Sequence, residues 1–89
     1  MPIARKQLTV KNKQGLHARP AALFVQVANR FESNVTVIRD EERVNGKSIM
    51  GILMLGAEQG SQITLEAEGK DAEAALAELE VIVAKEDLA

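Results

Sequence analysis

The stretch QGLHARPAALF, Gln14 to Phe24, carries the only histidine of an 89-residue chain. His17 lies two residues after Gly15, two before Arg19 and three before Pro20. A proline is tolerated in the first turn of a helix, where an amide has no intrahelical partner anyway. Pro20 therefore predicts a helix that begins just after His17, with Ala18, Arg19 and Pro20 as its first turn. Gly15 lets the chain turn sharply just upstream. An imidazole at that point faces the positive end of a helix dipole and its free N–H groups, which suits an anion. Arg19 adds a planar fork that grips phosphate or carboxylate oxygens. Imidazole is also a nucleophile. These residue types in this order describe a ring nitrogen that receives a phosphoryl group. The amides of Ala18 and Arg19, with the guanidinium, then hold the charge that arrives.

A lone histidine has plainer uses, as a surface residue, a helix cap or a hydrogen-bonded core group, and the residues alone leave those open. A transition-metal site is not expected, because no second His and no Cys is present to complete it. No Ser and Asp stand at a spacing that suggests a protease-like relay.

The whole chain sets the frame for this chemistry. Eighty-nine residues fit one domain, 1–89. With no cysteine, a disulfide framework and a thiol nucleophile are excluded. The only aromatics are two Phe, so the core must come from Leu, Ile, Val, Ala and Met. No apolar run reaches the roughly 18 residues that span a bilayer, and the first residues lack a signal-peptide pattern. A cytoplasmic protein without membrane insertion is expected. Residues 1–48 carry nine Lys and Arg against four Asp and Glu, a balance of +5, and residues 49–89 carry two against nine, a balance of −7. The half with the histidine is thus basic and steers towards an anionic ligand or an acidic partner. Nucleic acid is not expected as a partner, since no Tyr or Trp offers a stacking platform and no dense basic run occurs.

The elements that position His17 follow from periodicity. RKQLTVK alternates, with Leu8 and Val10 on one face, and predicts a strand. From Ala18 to about Asn29 the residues Ala21, Leu23, Phe24, Val27 and Ala28 follow helical spacing. NVTVIR predicts a second strand, rich in β-branched residues. Asp40 and Glu41 mark a turn, and ERV a short third strand. Ser48 is placed to cap a short helix from Ile49 to Leu55 that ends at Gly56. SQITLEAE alternates Ile63, Leu65 and Ala67 and predicts a fourth strand. Asp71 stands as the N-cap of a last helix to about Lys85, with Ala75, Leu76, Leu79, Ile82 and Val83 as its apolar stripe. The order is β-α-β-β-α-β-α. Three amphipathic helices covering one face of four half-buried strands make a two-layer α+β domain with an open outer face.

GLHARPAALF resembles the active-site signature of the HPr family, the histidine-containing phosphocarrier proteins of the bacterial phosphotransferase system. NGKSIMGILMLGAEQG resembles the regulatory-serine segment of the same family, and element order and length agree over nearly the whole chain. The resemblance implies an open-faced β-sandwich, with an antiparallel four-stranded sheet in the order 1-4-2-3 and three helices on one face. It implies that His17 takes a phosphoryl group on Nδ1 from enzyme I, itself charged by phosphoenolpyruvate. His17 then passes the group to an enzyme IIA, with Arg19 stabilising the phosphate in transit. That makes the chain a carrier rather than a turnover enzyme. No cofactor is expected, and a monomer is the default expectation.

Docking on two different proteins needs an exposed surface beside the histidine. The resemblance points to Leu16, Ala22, Lys47, Ile49, Met50 and Leu53, while periodicity makes Ile52 and Leu55 the core residues of their helix. Ser48 has two readings. Structurally it caps a helix. By resemblance it matches the serine modified by the HPr kinase/phosphorylase, and a phosphate there would set about −2 charge beside the docking surface. Gln14, Gln26, Asn29 and Gly51 depart from residues common in the family, the last three from lysines, which lowers the positive charge of that surface. Two further classes of function stay open: a regulatory module that acts by contact alone, and an anion-binding domain that never forms a phosphohistidine.

Overall fold

Four strands and three helices make up residues 2–86, the part of the chain described by the computed structural model. In chain order they are β1 (Ile3–Thr9), α1 (Ala18–Ala28), β2 (Asn34–Arg39), β3 (Glu42–Asn45), α2 (Ile49–Leu55), β4 (Gln62–Glu68) and α3 (Ala72–Ala84). The four strands form one antiparallel sheet in the order β1-β4-β2-β3. The three helices cover one of its faces, making an α+β open-faced sandwich, as the sequence and its family resemblance predicted.

Side chains alternate across a strand, so the register decides which residues share a face. Ala4, Ala67 and Val35 lie in one row, and Lys6, Leu65, Val37 and Val44 in the next, on the covered face. The opposite face carries Arg5, Glu66, Thr36 and Asn45 in one row. There Glu66 is held by Arg5 and, at 2.9 Å, by Arg43. The Arg5 hydrogen bond, aided by Arg43, keeps the Glu66 carboxyl below the usual range. Exposed pairs of this kind contribute little to stability. Lys6, on the covered side of the edge strand β1, reaches Glu80 of α3 with its Nζ at 2.8 Å.

The helices supply the rest of the core. α1 buries Pro20, Ala21, Phe24, Val27 and Ala28, and α3 buries Ala72, Ala75, Leu76, Leu79, Ile82 and Val83. Both sets recur at three- and four-residue intervals, the stripe of a helix packed on a sheet. Each large aliphatic or Phe side chain removed from water here stabilises the fold by roughly 1.5–3 kcal/mol.

Two local expectations change. The first strand spans residues 3–9 rather than 5–11, because pairing with β4 begins at Ile3 opposite Glu68 and ends at Thr9 opposite Gln62. Val10 leaves the strand yet remains fully buried. Asp71 stands at the N-cap of α3 but makes no capping bond there. Its carboxylate accepts instead from the amides of Glu32 (2.9 Å) and Ser33 (3.0 Å) and from the Ser33 hydroxyl. These bonds, the Ser33 hydroxyl first, hold the Asp71 carboxyl below the usual aspartate range. Among the described residues, no helix is long and apolar enough to cross a membrane.

Candidate functional site

The loop from Val10 to His17 brings the chain from the end of β1 to the start of α1. Gly15 has φ +67°, a left-handed conformation that favours glycine, and a Cβ there would stand 2.5 Å from the Ala57 carbonyl oxygen. The Gly15 amide donates to the Asn12 carbonyl at 3.0 Å, and the Leu16 amide to Ala57 at 2.8 Å. The sharp turn drives Leu16 inward. Leu16 is fully buried in the core, so the expectation that it is an exposed docking residue is overturned. Its amide is tied to Ala57 and its side chain packs under the loop rather than on it.

His17 is the N-cap of α1, with an extended backbone (φ −118°, ψ 163°) and no capping bond from its side chain. It is half-buried. Its imidazole has no hydrogen-bond partner among the described residues. The first intrahelical bond, from Ala21 to the His17 carbonyl, is long at 3.5 Å. Ala18 opens the helix with φ +45°, in the left-handed region. For a residue with a Cβ that costs on the order of 1–2 kcal/mol. The amides of Ala18 and Arg19 have no acceptor, and the exposed Arg19 side chain has no ion-pair or hydrogen-bond partner, among the described residues. An imidazole, two amides and a guanidinium are thus all uncommitted within three successive residues.

Other cations are in use. Arg39 donates to the carbonyls of Leu55 (3.1 Å) and Gly56 (3.0 Å), a cation at the negative end of α2. Lys47 is half-buried, and its ammonium donates to the Phe31 carbonyl at 2.7 Å. That bond holds the side chain against the fold while its charge stays half-exposed beside α2.

α2 packs beside α1. Ile52 and Leu55 face the core, whereas Ile49, Met50 and Leu53 are exposed, at 40%, 63% and 38%. Ala22 of α1 is exposed as well. Met54, at 73%, belongs to the same exposed set and was missed from the sequence, although its place four residues after Met50 signals it. Ser48 caps α2 as expected: its hydroxyl accepts from the Gly51 amide at 3.1 Å.

The fold and this geometry define a class: small open-faced α+β sandwiches that present one uncommitted imidazole at the start of a helix. Comparison with known proteins gives that class its family. Residues 4–85 match the family described as "PTS HPr component phosphorylation site". The chain is 50% identical to the HPr-like protein Crh of Halalkalibacterium halodurans over 84 residues, 94% of this chain and 100% of that one. It is 51% identical to phosphocarrier protein HPr of Treponema pallidum over 75 residues, 84% and 85% of the two chains. The crystal structure of a phosphocarrier protein HPr from Bacillus anthracis superposes with a TM-score of 0.89 at 51% identity, covering 91% of this chain and 96% of that one. The chain belongs to the HPr family.

Proposed function

We propose that the chain is a phosphoryl carrier that takes its group from enzyme I, charged by phosphoenolpyruvate, and gives it to an enzyme IIA. With the ring proton on Nε2, the Nδ1 lone pair of His17 attacks phosphorus. The bond from phosphorus to the donor breaks, and its electron pair stays with the donor. Transfer onward is the same displacement run with His17 as leaving group. The Ala18 and Arg19 amides and the Arg19 guanidinium stabilise the charge on the phosphoryl oxygens as it passes. The single observation that carries this reading is the His17 imidazole, unbonded at a helix start whose amides are also unused.

Ala22, Ile49, Met50 and Leu53, with Met54, form the docking surface in this reading. Methionine suits a surface that must fit two different partners. Ser48 is the regulatory position, modified by an HPr kinase/phosphorylase. A phosphate on its hydroxyl keeps the start of α2 folded, because negative charge is favourable there, while its charge weakens docking. The carrier works as a cytoplasmic monomer, one HPr-like domain over residues 1–89.

Incubation with phosphoenolpyruvate, magnesium and a matched enzyme I tests the reading. An acid-labile, base-stable phosphoryl group should form on the protein and be absent from His17→Ala. The second reading, a regulator acting by contact, draws on the 50% identity to an HPr-like protein Crh. It gains if no phosphoryl group forms while the protein still binds a target.

A further inference from the structure

α3 ends at Ala84 with no glycine after it, and Lys85 takes an extended backbone (φ −79°, ψ 134°). The last carbonyls of a helix lack intrahelical donors. Here the histidine loop supplies them. The Lys11 amide donates to Val83 at 3.0 Å and the Lys13 amide to Glu86 at 3.2 Å. Between them, the Asn12 carboxamide donates to the carbonyls of Ile82 (3.0 Å) and Lys85 (2.6 Å). Asn12 is 2% exposed, and its Oδ1 has no partner among the described residues. A buried amide with an unmet acceptor is costly. An apolar side chain of similar size would fill the space without that cost, so space-filling does not explain an asparagine here. Its two directed donors do.

The other side of Asn12 leads to the site. Its carbonyl closes the turn to the Gly15 amide at 3.0 Å, Leu16 is then fixed to Ala57, and His17 follows. Four residues separate Asn12 from His17, and each anchor is short, so a shift at Asn12 is passed on to the imidazole.

We infer that Asn12 is a positioning residue for His17. By clasping the end of α3, it sets the place from which the nucleophile meets its donor. This rests on the carrier reading for its kinetic readout. The full-length chain is compared with Asn12→Ala and Asn12→Gln in single-turnover phosphoryl uptake from phosphorylated enzyme I, at a temperature where each is fully folded. Misplacement of a reacting group by a fraction of an ångström is expected to slow uptake about tenfold in Asn12→Ala. Asn12→Gln keeps the donors on a longer arm and should regain stability but only part of the rate. Should Asn12→Ala not fold, Asn12→Gln decides. Val37→Ala, in the sheet, is the control: a lower melting temperature with an unchanged rate. In parallel, amide exchange at Gly15 and Leu16 should quicken in Asn12→Ala and not in Val37→Ala. Uptake at the wild-type rate in both Asn12 variants, or unchanged exchange at those two amides, overturns the inference. Failure of the wild-type chain to accept any phosphoryl group overturns the carrier reading instead, and the exchange data then decide whether Asn12 holds the loop.

Discussion

The starts of α1 and α2 share a backbone and differ in what their side chains do. Both N-caps are extended, His17 at φ −118° and ψ 163°, Ser48 at φ −110° and ψ 118°. The Ser48 hydroxyl satisfies the Gly51 amide, and the helix enters without a left-handed residue. At His17 the side chain makes no capping bond, the next residue is left-handed, and the first helical bond is stretched. One start is closed by the chain's own atoms; the other leaves its imidazole and first amides without partners among the described residues. Local stability is thus lower at the start of α1 than at the start of α2, and the proposed carrier role gives that difference a use.

Substitutions at the two caps make the contrast measurable. His17→Ala should abolish phosphoryl uptake while moving the melting temperature by no more than about 2 °C, since few contacts are lost. Ser48→Ala should leave uptake intact. Equal effects of the two changes on uptake would erase the distinction. Arg19→Ala comes next, with uptake slowed about 100-fold and stability unchanged, because the guanidinium is exposed and has no partner among the described residues. Ser48→Ala should destabilise by about 1 kcal/mol, seen as a melting temperature lower by about 4–8 °C. Ala18→Gly should move the other way, by about 0.5–1 kcal/mol, as the left-handed start of α1 is relieved. A lower melting temperature in that variant would mean that the conformation is not strained.

A third helix start sharpens the picture. Asp71 caps nothing on α3 and instead holds Glu32 and Ser33. Its carboxyl is more acidic folded than unfolded, so its contribution to stability is complete above the ordinary aspartate range, about pH 4. That contribution is lost as pH falls from there through the lower native value. In Asp71→Asn the melting temperature should fall at neutral pH, and its decline in acid should become shallower.

The sequence signalled best what local chemistry decides. β2 and α2 lie where their β-branched run and their Ser48 and Gly56 boundaries place them, and the stripe of α3 is buried residue for residue. Pro20 marked the start of α1. What stayed hidden depends on partners far along the chain. Leu16 is buried because Ala57, some forty residues later, takes its amide. Asp71 had the position of a cap, and nothing nearby says that Ser33 claims its carboxylate. Asn12, between two lysines, has no periodic context, and only the arrival of α3 gives it a role. The left-handed φ of Ala18 has no local signature either, since alanine is a good helix former.

Lys6 has a consequence beyond its ion pair with Glu80. β1 is an outer strand, and its free backbone groups offer a template to any extended peptide that drifts alongside. A newcomer aligned there would have to enclose an ammonium in the middle of what should be a greasy seam, or tear it from its carboxylate. The charge therefore acts as a sentry against unwanted strand addition, and exchanging it for leucine would leave that border unguarded.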